Sequence, residues 1–182
     1  MKPKIRDLLL ASLFASLTAV GASIHVPLPF TAIPITLQTL FIYVAGALLG
    51  SRLGALSQSL YVLMGIMGLP VFAGWRSGFE VLMGPTGGYI LGFIPGAYVI
   101  GKLVELKIRP GFYWLLLSMA AGTFVIYLIG ILQIAIVLGI NFREAISVGI
   151  FPFIFGDLAK TIVAGLAVNR IRRMLPLQRS NG

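Results

Sequence analysis

No cysteine occurs anywhere in this chain, which excludes disulfides, thiolate metal sites and cysteine nucleophiles. A single histidine, His25, excludes any multi-histidine metal site. Charge is equally scarce. Only 10% of the 182 residues are Asp, Glu, Lys or Arg, against about 25% in soluble domains. Acidic residues are the rarest of these, 5 against 14 basic ones. What is abundant is apolar: 58% of the residues are hydrophobic and the mean hydropathy is +1.00. Such proportions describe an integral membrane protein. A net charge of +9 would suggest nucleic acid in a soluble chain. Here the basic residues fall in short gaps between apolar runs, where they set topology instead.

The apolar runs predict an all-α integral membrane bundle of about six transmembrane helices, one domain over residues 1–182. The expected spans are Leu8 to Ile24, Ala32 to Gly50, Leu53 to Leu69, Thr86 to Gly101, Phe112 to Ile140 and Val148 to Asn169. Several fall short of the roughly 20 residues that cross a full bilayer. The basic start and small residues of the first run resemble a signal peptide, but their helical spacing argues for a retained helix. With the N-terminus inside, the inner segments hold Lys2, Lys4, Arg6, Arg52, Lys102, Lys107, Arg109, Arg170, Arg172, Arg173 and Arg179. The outer side holds only Arg76 and Arg143. Eleven against two in short loops predicts both termini in the cytoplasm, and so a multi-pass protein of the cytoplasmic membrane.

One polar step interrupts the last span, Gly156-Asp157-Leu158-Ala159-Lys160. Ionisable side chains at bilayer depth cost roughly 2.5–3.5 kcal/mol each, so they normally face a protein interior. Asp157 and Lys160 lie three apart, on one helix face. They can hold a small polar molecule together, or form an ion pair that only locks two helices. Counted from the outer end of the span, Asp157 is expected about nine residues down, roughly 14 Å.

The connections on the outer side are unusual. Residues Ser23 to Pro34 carry Pro27, Pro29 and Pro34, which favours a stiff extended segment. Residues Gly68 to Gly88 carry six glycines and two prolines, with Phe72, Trp75, Arg76, Phe79 and Glu80. Such a stretch shapes a loop that can bring backbone groups against a ligand. Together with Gln38 near the outer end of the second span, these features describe a pocket open outside and closed below. A channel would want polar residues along its whole length, and the chain lacks the internal repeat of most alternating-access transporters.

Small-residue stripes mark close helix contacts: Gly46, Gly50 and Gly54; Gly88, Gly92 and Gly96; and Ala11, Ala15 and Ala19. Internal packing accounts for the glycines, while the alanine stripe is open to either packing or an external helical partner. Gly96 to Leu103 imitates a phosphate-binding loop, yet Leu103 stands where a Ser or Thr must hold magnesium. No nucleotide site follows, so active transport would draw on another subunit. Ser12, Ser16 and Thr18 read as helix–helix hydrogen bonders, His25 as a loop residue, and Tyr113 with Trp114 as an interfacial belt.

Four strings resemble the BioY family, the biotin-binding S components of energy-coupling-factor transporters. They are Pro34-Ile35-Thr36-Leu37-Gln38-Thr39-Leu40, Gly68-Leu69-Pro70-Val71-Phe72-Ala73-Gly74, Gly84-Pro85-Thr86-Gly87-Gly88-Tyr89 and the Gly156 to Lys160 step. They occur in the family's order across nearly the whole chain. The resemblance implies six helices, no enzymatic activity, no cofactor or metal, and biotin bound near the outer face. Position, chemistry and these strings together give the expected site residues Asp157, Lys160, Arg76, Tyr89 and Gln38, with Gly84, Thr86, Gly88, Phe72 and Trp75. The resemblance also implies docking through Ala11, Ala15 and Ala19 to a membrane coupling protein, the T component, which works with two cytoplasmic ABC-type ATPases. The chain departs from the family's pattern at Trp75-Arg76-Ser77 and at Ile90.

Biotin suits these residues chemically. Its ureido ring offers two N–H donors and a carbonyl acceptor, its body is apolar, and its tail ends in a carboxylate. Asp157 can accept ureido N–H, while Lys160 or Arg76 can answer the ureido oxygen or the tail. Phe72, Trp75, Phe79 and Tyr89 are candidates to cover the bicyclic ring. A different vitamin on the same fold, or a scaffold without a ligand, are the two alternatives.

Overall fold

The computed structural model describes residues 4–174, and Lys2 and Arg179 of the charge pattern lie outside them. The chain runs α1 (Ile5–Ser23), β1 (His25–Val26), β2 (Ile35–Thr36), α2 (Gln38–Leu49), α3 (Ser51–Ile66), α4 (Phe79–Met83), α5 (Gly87–Glu105), α6 (Phe112–Leu138), α7 (Phe142–Gly149) and α8 (Ile154–Met174). It is overwhelmingly helical, with one small antiparallel hairpin pairing His25 with Thr36 and Val26 with Ile35. Among the described residues, α1, α5 and α6 are long and apolar enough to cross a membrane singly. The pair α7 and α8 passes that test together, bent by 53°. By length and composition, three helices, or four with the bent pair counted as one span, pass this test among the described residues.

The shortfalls have local causes. In the second expected span, Pro34 and the strand pairing of Ile35 and Thr36 keep the backbone extended, so α2 has only 12 residues. In the sixth, Pro152 lies in the turn between α7 and α8, where it supplies no N–H for a helical hydrogen bond. Asp157 consequently stands in the first turn of α8, its N–H bonded to the Phe153 carbonyl at 2.8 Å. It does not lie two turns down a continuous helix.

The largest helix interface joins α5 to α6; α3 and α2 pack on α5, and α1 packs on α2 and α3. Two glycine stripes make this possible. A Cβ on Gly96 would come within 2.6 Å of the Ile126 side chain, and one on Gly88 within 2.6 Å of the Ile129 carbonyl. A Cβ on Gly46 would meet the Ala97 carbonyl at 2.7 Å, and one on Gly54 would meet the Gly46 Cα at 3.0 Å. Both stripes are internal packing. In lipid, where apolar association gains nothing from water, such backbone approach supplies the attraction. One buried cluster, around Tyr61, Phe93, Ile126 and Tyr89, lies beneath the hairpin and the loop after α3. A second, around Tyr43, Ile100, Leu115 and Val168, closes the other end of the bundle.

Candidate functional site

A cavity of about 300 Å³ opens at the first end. That volume suits a small organic ligand. The start of α2, the N-terminal parts of α5 and α8, the middle of α6, and the stretches 25–36 and 72–76 enclose it. Its rim carries exposed Pro27, Ala32, Gly74 and Arg76, and its depth carries buried Gln38, Phe93, Ile126 and Asp157.

Asp157 organises the floor. Its Oδ1 accepts from Lys160 Nζ at 2.6 Å and from Thr39 Oγ1 at 3.0 Å, and its Oδ2 accepts from the Tyr127 hydroxyl at 2.5 Å. Lys160 Nζ also donates to Thr39 Oγ1 at 3.0 Å. Placement in the first turn of α8 adds the favourable field of a helix N-terminus for a carboxylate. Three elements thus converge on one ionised pair: α2 with Thr39, α6 with Tyr127, and α8 with both charges. The accounting leaves capacity for a ligand. An ammonium has three donors and Lys160 uses two; a carboxylate has about four acceptor sites and Asp157 uses three. One donor of Lys160 and one acceptor site of Asp157 are left over by these bonds.

Gln38 lines the cavity, but its amide is already engaged. It accepts from Thr36 Oγ1 at 2.9 Å and donates to the Tyr61 hydroxyl at 2.6 Å, which in turn donates to the Val71 carbonyl at 3.1 Å. That chain ties the loop after α3 to the hairpin. Phe72 is 1% exposed and stacks edge-on against Tyr61, with ring centroids 5.7 Å apart. Tyr89 contributes its ring, because its hydroxyl donates to the Gly149 carbonyl at 3.0 Å. Thr86 and Arg76 line the cavity as well.

Four expected residues lie elsewhere. Trp75 does not line the cavity and is 67% exposed. Phe72 N–H bonds the Arg76 carbonyl, and Gly74 and Trp75 make the turn between them at φ 75° and 59°. This hairpin turns the Phe72 ring inward and the Trp75 ring outward. Phe79, another candidate ring cover, is also exposed and off the cavity. Gly84 and Gly88 serve packing: the Gly84 carbonyl accepts from Gln133 Nε2 at 2.8 Å, and Gly88 abuts α6.

Sequence reasoning missed Thr39, Tyr127, Phe93 and the lining role of His25. Thr39 stands in the same string as Gln38 and was within reach. Tyr127 sits inside a 27-residue apolar helix with nothing beside it to mark it. His25 lines the cavity because β1 pairs with β2, with its Nδ1 3.2 Å from the Ser23 carbonyl.

The alanine stripe faces the body of the bundle. Ala11 and Ala15 are 0% and 1% exposed and Ala19 is half-buried, on the side of α1 that packs on α2 and α3. No partner helix reaches the two buried alanines in this conformation. Thr18 shares that side and accepts from Gln58 Nε2 of α3 at 3.3 Å, as expected of a helix–helix hydrogen bonder. Ser12 and Ser16 instead face outward beside Leu9, Leu13 and Val20, and the Ser16 hydroxyl is spent on the Ser12 carbonyl.

This architecture has known counterparts. The S-component for biotin from an ECF-type ABC transporter, solved by crystallography, superposes with a TM-score of 0.87 over 95% of each chain at 26% identity. The biotin transporter BioY of Thermotoga maritima is 44% identical over 93% of this chain and 98% of its own length. The probable biotin transporter BioY of Pyrococcus horikoshii is 40% identical over 93% and 98%. The model of the BioY family matches residues 1–177. From that match and these relatives, the chain belongs to the BioY family.

Proposed function

We propose that this protein binds biotin in the cavity above Asp157 and serves as the substrate-specific S component of an energy-coupling-factor transporter. The observation that carries this reading is the charged pair at the floor of a mostly apolar cavity, with one acceptor and one donor unspent. A cyclic urea presents N–H and C=O on the same edge and matches that arrangement. Its N–H meets the free acceptor position of Asp157 and its oxygen meets Lys160. Phe72, Tyr89, Phe93 and Ile126 then flank the apolar body. The valeryl carboxylate extends to Arg76 at the rim, where an exposed guanidinium meets it in water. Both termini lie in the cytoplasm, so the rim faces outside. ATP hydrolysis belongs to two cytoplasmic ABC-type ATPases, linked through a membrane T component.

The docking face for that component is reassigned to the outward side of α1. Ser12 and Ser16 form a small-xxx-small pair there, and the Ser16 hydroxyl is satisfied within α1, so another helix can approach closely without stranding it. Titration of the detergent-purified chain with labelled biotin tests the central claim. Saturable binding of one biotin per chain, competed by unlabelled biotin and not by thiamine or riboflavin, is the expected result. Displacement by another vitamin in preference to biotin would reassign the substrate, and no saturable binding at all would leave a scaffold.

A further inference from the structure

A second concavity, of about 610 Å³, lies at the opposite end of the bundle. Arg172 is 15 residues beyond Asp157 on α8, which places the two about 22 Å apart along the axis. The groove forms where the turn from α5 to α6 meets the last turns of α8. Three arginines line it, Arg109 from the turn and Arg172 with Arg173 from α8, together with Asn169. Among the described residues, none that lines it is acidic. Arg172 is half-buried, and its Nη1 donates to the Ala47 carbonyl at 2.7 Å, which fixes the head and leaves its other N–H groups to spare. Gly111, the residue before α6, also lines the groove and gives that helix no side-chain cap.

Topology alone requires basic residues at this end, but it does not require them to share a concave site. Like charges that share one groove repel, and their arrangement gains from a polyvalent anion between them. The rim indicates which kind. Ile108 in the groove is 88% exposed and Tyr113 beside it is 84% exposed. An apolar and an aromatic side chain left bare at a helix end belong at the level of lipid headgroups. We infer that this groove is a binding site for a phosphate group, one that the headgroup of an anionic phospholipid reaches from the bilayer. The inference rests on the membrane setting of the chain and not on the biotin reading.

Native mass spectrometry of the detergent-purified chain tests it with phosphatidylglycerol, phosphatidylcholine and inorganic phosphate as probes. The wild type should retain phosphatidylglycerol in preference to phosphatidylcholine. The double substitution Arg109→Gln with Arg173→Gln spares the Arg172 contact with Ala47 and should weaken that retention at least tenfold, with biotin binding unchanged. Displacement of the lipid by millimolar inorganic phosphate would support the phosphate site and identify a soluble source. Equal retention of both lipids, or equal retention of phosphatidylglycerol by wild type and variant, would overturn the proposal. So would a variant that retains phosphatidylglycerol normally yet loses the coupling subunit, since the arginines would then meet acidic protein side chains.

Discussion

Thr39 and Asp157, separated by 118 residues of sequence, are joined by a 3.0 Å hydrogen bond that brings the first turn of α2 against the first turn of α8. Lys160 donates to the same threonine oxygen, so the hydroxyl is locked between the two charges with its proton toward the carboxylate. Both charged side chains are about nine-tenths buried. An ion pair in that setting contributes little to stability as a pair, whereas removal of one partner strands the other.

Asp157→Asn and Lys160→Ala are each expected to weaken biotin binding at least tenfold, about 1.4 kcal/mol. Each should also lower the unfolding temperature, because one buried charge loses its partner. The double variant Asp157→Asn with Lys160→Met should recover folding without recovering binding. Calorimetric titration and thermal unfolding in detergent separate the two effects. Wild-type affinity in any of the three variants would remove the pair from the site.

Gly65 on α3 faces the ring of Phe72 so closely that an added methyl overlaps its edge atoms. Gly65→Ala should therefore expel Phe72 from its slot beside Tyr61, a strain of about 1–3 kcal/mol. Since Phe72 lines the cavity, biotin affinity should fall together with stability. Unchanged affinity in Gly65→Ala would show that the Phe72 ring is dispensable to the ligand.

The segment from Gly68 to Gly88, which includes α4 and the start of α5, should become protected from hydrogen exchange when biotin binds. Arg76, Gly74 and Phe72 line the cavity from this segment, and a few backbone hydrogen bonds hold it, such as Gly78 N–H to the Gly65 carbonyl at 2.8 Å. Segments of that kind open at low free-energy cost, and a ligand suppresses the opening. Protection confined to other segments would place the ligand elsewhere.

Ala15→Leu and Ser16→Leu should act differently although the two residues are neighbours. Ala15 is buried against the body of the bundle, so leucine overpacks it and lowers the unfolding temperature. Ser16 faces outward, so leucine there should leave folding and biotin binding intact while reducing ATP-driven uptake and co-purification with the T component. Normal uptake by Ser16→Leu would exclude this face of α1 as the docking surface.

Composition by itself determined that the chain is a membrane protein of helices, because a backbone in hydrocarbon must satisfy its own hydrogen bonds and an apolar helix does so locally. Charge scarcity made Asp157 and Lys160 visible for the same reason: in an apolar span a costly residue stands out. The glycine stripes were legible because close backbone approach tolerates no other residue. Tertiary structure decided the rest. Period and spacing define the faces of α1 but not which face meets its neighbours, so the alanines turned inward and the serines outward only in the packed bundle. Trp75 and Phe72 share a loop and a chemistry, and a left-handed turn at Gly74 and Trp75 sends one out and the other in. Tyr127 has no polar neighbour in sequence. Its role exists only because α6 crosses the first turn of α8 at the depth where Asp157 needs a donor.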